Sequence, residues 1–343
     1  MNFGMFTDFH IREHLSQEEA FDESFRQAEE AERLGMDSVW LAEHHFSPDR
    51  SVLASPIVIA SSLATRTRKI RIGLAVQVLP LTNPLRIAEE AATVDHISKG
   101  RFDFGVGRSG LTRYYQGYNV PYDESRSRFL EALDIITKAW RQEQFSHTGT
   151  YFSFQDVTVV PRPYQKPHPP IHVALASPDT FSLIGGMGHA VFISANTSIP
   201  QLQERLALYR QARQEAGHTG AADIALRIPA YVAETAERAY SEPEASTMRA
   251  IHYAATELIK TVANPEGAAR IQRLASTPYD DILKQRVMYG TPEAIVDRLQ
   301  EYQETLGITG VVMEMNYGGR IPYDRVINSM RLLTEKVAPQ LKS

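Results

Sequence analysis

The chain has 343 residues, 43% of them hydrophobic and 22% charged, which is the composition of a globular protein able to bury a sizeable core. A formal net charge of −5 without any basic block argues against a nucleic-acid partner, and the absence of cysteine excludes disulfides and thiolate metal sites. The N-terminus carries no secretory signature, and the longest charge-free stretch (72–85) is shorter than the roughly 18 residues of a membrane span, so a cytoplasmic protein without a membrane partner is expected.

In chain order, residues 2–6 read as a strand. Ser16 and Glu19 form a capping box, and Phe21, Phe25, Ala28, Ala31 and Leu34 recur at helical spacing until Gly35 ends the helix. Strand-like residues 37–43 lead to a helix at 54–65, a strand at 69–79, and a helix opened by Asn83 and Pro84 that runs to Gly100. A strand "RFDFGVG" (101–107) and a helix at 123–143 follow, then a proline-rich extended stretch at 159–170. The alternation resumes with strands at 171–176, 190–194 and 224–234, and helices at 178–187, 199–217 and from about 235. Thr291 and Pro292 start a helix striped by Ile295, Leu299, Tyr302 and Leu306, and a strand at 310–315 precedes the closing helix. Eight strand–helix units predict one α/β domain over 1–343, a (β/α)₈ TIM barrel with insertions, with an open doubly wound sheet as the rival. In such a barrel the chemistry sits at the C-terminal ends of the strands.

One of those ends, Gly105 to Gly110, spells GxGxxG. A dinucleotide fingerprint needs a helix at once and an acidic residue about 20 positions on. Here an aromatic loop, "LTRYYQGYNVPY" (111–122), follows instead. Glycines at a strand end also let a ligand approach the backbone, and Arg108 offers a fork suited to phosphate. A tight turn with a surface arginine fits the same residues, so both readings stay open.

Another strand end, "WLAEHHF" (40–46), holds two adjacent histidines. Neighbouring residues of extended chain face opposite ways, so His44 and His45 are badly placed to share one ion, and no metal is expected. A single imidazole at the mouth suits acid–base work near neutral pH, though a structural histidine fits too.

These segments carry a wider resemblance. "FGMF" (3–6), "GMDSVWLAEHHF" (35–46), the block 72–109, "YGTPEAIVDRLQ" (289–300) and "VAPQLK" (337–342) together resemble the bacterial luciferase-like family of flavin-dependent monooxygenases over nearly the whole chain. The family's barrel fold agrees with the strand count. The resemblance implies a two-component enzyme that receives reduced FMN from a separate reductase and uses dioxygen, through a flavin 4a-hydroperoxide, on a small apolar, aromatic or aldehyde substrate. His44 matches the family's catalytic histidine, with Glu43 or a backbone carbonyl expected to fix its tautomer. Ala75–Val76 matches a non-prolyl cis peptide that lies against the flavin ring, and Gly105 and Gly107 would make room for that ring. Arg108, Arg126, Ser177 and Thr180 match phosphate-binding positions, with Ala176 beside them. Phe6, Phe46, Leu111, Tyr114, Tyr115 and Tyr118 are candidates for the substrate wall, or for ordinary packing at the barrel end.

Some positions depart from the luciferases. Gly107 replaces a reactive cysteine, Leu175 and Ala176 replace a Glu-Ser pair, and the segment about 250–288, a possible mobile lid, is short. Light emission and long-chain aldehydes are therefore not expected. A deazaflavin-dependent oxidoreductase and a non-catalytic partner subunit are the alternatives. Family members pair through their second and third helices, which implies a homodimer.

Overall fold

The computed structural model describes all residues except 13–14, 176, 196, 263–264 and 343. Eight parallel strands form its centre: β1 (Asn2–Thr7), β2 (Ser38–Leu41), β3 (Arg71–Leu74), β4 (Phe102–Gly107), β5 (Ile171–Ala174), β6 (Ala190–Ser194), β7 (Ile224–Val232) and β8 (Gly310–Glu314). Each pairs with its neighbour in sequence, and β8 returns to β1 with Phe6 opposite Glu314, so the sheet closes into a barrel. Around it stand α1 (Gln17–Arg33), α2 (Pro56–Arg66), α3 (Pro84–Ser98), α4 (Ser125–Arg141), α5 (Pro178–Met187), α6 (Ile199–Glu215), α7 (Pro292–Leu306) and α8 (Tyr323–Leu332).

Local signals set the helix starts. Ser16 and Glu19 close both bonds of the capping box on α1. Asn83 accepts from the N–H groups of Leu85 and Arg86, and Thr291 from that of Ala294. The period of two along the strands divides the core. Val39 and Leu41 of β2 pack outward against the helices, whereas Trp40 and Ala42 face the lumen with Phe6, Phe192, Ala225 and Val312. Trp40 closes the barrel floor because its neighbours lack side chains: a Cβ on Gly73 would lie 2.1 Å from its ring, and one on Gly4 2.8 Å. Phe192 meets the indole edge-on at 4.7 Å.

The structure refines the strand expected at 69–79. β3 stops at Leu74, the Ala75–Val76 peptide is cis, and Gln77–Val78 then pairs with the end of β4. The aromatic loop is also partly helical, at Thr112–Gly117. An antiparallel hairpin, Phe145–Thr148 with Ser153–Val157, stands between α4 and β5 where no strand was expected.

Between β7 and α7 the chain forms helices at Ala236–Ser241, Glu244–Thr256, Pro265–Ala275 and Tyr279–Gln285, and a short strand, Met288–Gly290, beside the end of β7. This insert, which includes the expected lid segment, is tied to loops on three sides of the mouth. Thr112 Oγ1 donates to the Thr261 carbonyl at 3.0 Å, while Arg249 donates to the carbonyls of Gly318 at 2.6 Å and Asp49 at 2.7 Å.

The seam between β3 and β4 supplies a test of the packing. A Cβ on Gly105 would lie 1.6 Å from the Leu74 carbonyl oxygen, whereas one on Gly110 would meet nothing within 4 Å. Gly105→Ala should therefore destabilise the fold by about 1–3 kcal/mol or more, and Gly110→Ala by less than about 0.5 kcal/mol, as read from urea unfolding of both variants.

Candidate active site

A cavity of about 240 Å³ opens at the C-terminal end of the barrel. Phe6, Ala42, Leu111, Leu175, Phe192, Ile193 and Val312 make it mainly apolar, and the Ala75–Val76 peptide forms part of its wall. His44, Arg50, Tyr114 and Arg227 bring its polar and charged groups.

The polar side is built on Asp8, the residue after β1. Phe9 takes a left-handed φ of 51°, uncommon for a bulky residue, and its buried ring is held edge-on by Phe21 and Phe25 at 5.5 and 5.4 Å. That turn leaves Asp8 buried beneath the mouth. Its Oδ1 lies 3.1 Å from His44 Nε2, and its Oδ2 accepts from Arg50 at 3.1 Å. The Asp8 carbonyl also accepts from the Ser51 hydroxyl. Burial opposes a charge on Asp8, but His44 and Arg50 facing it hold its carboxyl well below the usual range.

An ionised carboxylate only accepts, so His44 Nε2 carries the hydrogen and Nδ1 accepts from the Tyr114 hydroxyl at 2.8 Å. Burial first, and the charge of Arg50 next, push the His44 pKa down to about 4 against the pull of Asp8. His44 is thus a neutral imidazole at pH 7, with one tautomer selected. Burial likewise pushes the Tyr114 hydroxyl up to about 12, so it remains a donor. Asp8, His44 and Tyr114 form a continuous path along which a proton can move to the cavity wall.

The orienting group expected for His44 was Glu43 or a backbone carbonyl; the structure puts the Asp8 carboxylate in that place. Glu43, which also lines the cavity, accepts instead from His45 Nε2 at 2.8 Å, Gln77 Nε2 at 2.7 Å and the Val78 N–H at 2.9 Å. It ties the end of β2 to the residues after the cis peptide. His45 is buried with it, and its Nδ1 lies 3.2 Å from the Tyr118 hydroxyl.

Of the expected substrate wall, Phe6, Leu111 and Tyr114 line the cavity; Phe46, Tyr115 and Tyr118 are not among its lining residues. Phe46 is 50% exposed and covers Gly117 and Tyr118 from outside. Tyr115 faces away from Tyr114, donates to the Arg108 carbonyl and packs edge-on against Tyr122 at 5.0 Å. These three aromatics brace the loop rather than the wall. Gly105 and Gly107 also differ from expectation. The space beside them is filled by the chain itself, by the Leu74 carbonyl and by Val76 Cγ2, where a Cβ on Gly107 would lie at 2.5 Å.

Of the expected phosphate-binding residues, Arg108 directly precedes cavity-lining Ser109, and Ser177 lies two residues after cavity-lining Leu175. Arg108 Nη1 donates to Ser125 Oγ at the start of α4 at 3.1 Å. The neighbouring Arg126 lies 3.7 Å from Asp179 at the start of α5, with both side chains largely in solvent. Ser177, the N-cap of α5, forms no side-chain cap; its hydroxyl meets that of Thr180 at 2.5 Å. Two guanidinium groups, two hydroxyls and a helix N-terminus make a donor set that fits a phosphate. Ala176 lies outside the described residues.

Sequence reading missed Asp8, Arg50, Arg227 and Glu314. Glu314 Oε2 accepts from Arg227 at 2.5 Å, and its Oε1 lies 3.8 Å from His10 Nε2, which is 3.7 Å from Asp8 Oδ2. Asp8, His10 and Glu314 bring ligand atoms within 4.8 Å of one another, a spacing a metal could use. Each carboxylate is already matched by a guanidinium, which leaves no surplus negative charge to hold a divalent cation.

The family model described as luciferase-like monooxygenase matches residues 1–309. The uncharacterized protein y4vJ of Sinorhizobium fredii is 37% identical over 183 residues, which cover 53% of this chain and 52% of y4vJ, so this chain spans about half of that relative. The oxygenase component of the flavin-dependent trigonelline monooxygenase of Acinetobacter baylyi is 24% identical, with 99% of this chain and 95% of that protein covered. Among solved structures, the oxygenating constituent of 3,6-diketocamphane monooxygenase from Pseudomonas putida, in complex with FMN, superposes with a TM-score of 0.83 at 19% identity, covering 99% of this chain and 98% of that one.

The depressed His44 pKa sets a pH dependence. Between its ordinary value of 6.5 and about 4, the unfolded chain protonates this residue and the folded chain does not, so stability falls as pH falls through that window. The His44 contribution lost there is of order 3 kcal/mol. Urea unfolding at pH 7 and pH 4.5 should show a clearly larger loss for the wild type than for His44→Gln.

Proposed function

The chain belongs to the luciferase-like monooxygenase family, a family of oxidoreductases, and from that premise we propose that it is the oxygenase component of a two-component flavin monooxygenase that takes reduced FMN from a separate reductase. The observation that carries this reading is the continuity of one site. An apolar cavity lined by Ala75–Val76 and by the His44–Tyr114 pair also reaches Ser109 and Leu175, which lie one and two residues from Arg108 and Ser177 of a donor set suited to a phosphate. Two relatives support it. One is described as a flavin-dependent oxygenase component, and the other, the oxygenating constituent of a monooxygenase, holds FMN.

When bound, the flavin supplies the activation of dioxygen. The chain's residues do the rest. Arg108, Arg126, Ser177, Thr180 and the first turn of α5 would hold the phosphate, and the apolar wall would exclude water from the ring. His44 accepts or returns a proton at Nδ1, Tyr114 carries it to the cavity, and Asp8 stabilises the imidazolium that forms in between. The substrate is a small molecule seated beside Phe6, Leu111 and Val312. Pairing of two copies through α2 and α3 accords with the exposed Val58 and Ile97 on those helices. Among the described residues no helix is long and apolar enough to cross a membrane.

Photoreduced FMN mixed with the protein and oxygen should give a transient spectrum that matches neither reduced nor oxidised FMN. His44→Ala should abolish or shorten that transient while leaving FMN affinity within about twofold. Arg108→Gln with Arg126→Gln should weaken FMN binding by about 10- to 100-fold, the scale of two charge-assisted contacts. Direct oxidation without a transient, or tighter binding of a deazaflavin than of FMN, would count against the proposal.

A further inference from the structure

The proposed function leaves one cavity group without a task. Arg227 lies on the lumen side of β7, one inward position above Ala225, and its guanidinium carbon stands 3.9 Å over the Phe6 ring. It is tied on one side to Glu314, yet its Nε is buried and has no hydrogen-bond partner. A buried donor left open is unfavourable until something accepts from it.

The surrounding charges favour an anion there. Arg50 is matched by Asp8, and Arg227 by Glu314. His10 adds to this balance, wedged between the same two carboxylates with its Nδ1 directed at the Arg50 carbonyl. Burial disfavours its charge, but Glu314 and Asp8 outweigh burial and raise its pKa. The carboxyl group that lines the cavity, Glu43, is turned toward His45, Gln77 and Val78, and burial raises its pKa. The cavity that Arg227 lines is otherwise bounded by apolar side chains, among them Leu111, Leu175, Phe192, Ile193 and Val312.

We infer that Arg227 is a specificity residue that selects a substrate with a compact apolar body and one carboxylate, its guanidinium holding the carboxylate beside Phe6. The inference rests on the oxygenase reading and narrows its substrate class. It also places the apolar body, where oxygen would be inserted, within the same walls as His44 and Tyr114.

Benzoate and its uncharged analogue benzamide serve as probes. Calorimetric titration of the FMN-loaded protein should show benzoate binding about tenfold or more tighter than benzamide, the scale of one charge-assisted hydrogen bond. Arg227→Gln should abolish that preference and leave FMN affinity unchanged, and Arg227→Lys should keep part of it. Because Arg227→Gln strands a buried Glu314, the double variant Arg227→Gln/Glu314→Gln repeats the measurement with both partners uncharged. Equal binding of the two probes by the wild type, or a preference that survives in the double variant, would overturn the inference. So would a loss of FMN affinity equal to the loss of benzoate affinity, which would assign Arg227 to the flavin. The same titrations on flavin-free protein separate the two proposals, since a carboxylate preference dependent on Arg227 is read there even if FMN does not bind.

Discussion

The site depends on a carboxylate that water cannot reach. Asp8 is buried under the mouth of the barrel, and such a charge persists only with cations or donors against it. Arg50 and His44 meet that need, and the consequence is chemical. Because ionised Asp8 can only accept, it decides which nitrogen of His44 carries hydrogen and leaves the other to Tyr114. Loops that follow β1, β2 and β4 are thereby joined through one imidazole. The same burial keeps that imidazole uncharged, as the proposed exchange of a proton at Nδ1 would need.

The barrel supplies the frame by bringing backbones close together. Gly73 and Gly4 leave the lumen to Trp40, which closes the floor, while Gly105 leaves space for the Leu74 carbonyl and Gly107 for Val76. The glycine spacing that first suggests a nucleotide fingerprint thus serves the seam between β3 and β4. Above that seam the apolar cavity and the donor group proposed to hold a phosphate draw on the same loops. Electrostatics divides the space: an apolar wall in the cavity, a layer of matched guanidinium and carboxylate groups beside Phe6, and the guanidinium groups of Arg108 and Arg126 beyond them.

The fold was largely legible because its signals are local. The box at Ser16 and Glu19, the caps at Asn83 and Thr291, and the alternation along β2 each need only a few neighbouring residues. The hairpin at 145–157 was not legible, since its strands are polar, mostly exposed, and lack the apolar alternation of a buried sheet. For the site, resemblance drew attention to His44, Arg108 and the Ala75–Val76 peptide, which is cis here, but not to the partners that give His44 its character. Asp8 and His44 are 36 residues apart, and Arg227 and Glu314 are 87 apart. They meet only when the barrel closes. Tyr114 and Tyr115 show the finer difficulty: neighbours on one short helix, they meet different partners, and of the two Tyr114 lines the cavity. An arginine at an inward position of β7 was the signal available for Arg227, since lumen positions of a barrel are ordinarily apolar.

The central claim is that one molecule of flavin occupies this mouth in a single orientation. A crystal structure of the protein soaked with FMN tests it most directly. The account requires the tricyclic ring in the apolar cavity against Ala75–Val76, the phosphate on Arg108, Arg126 and the start of α5, and the reactive edge turned toward His44 and Tyr114. Electron density for the ring outside that cavity, or a phosphate bound away from both arginines, would contradict it.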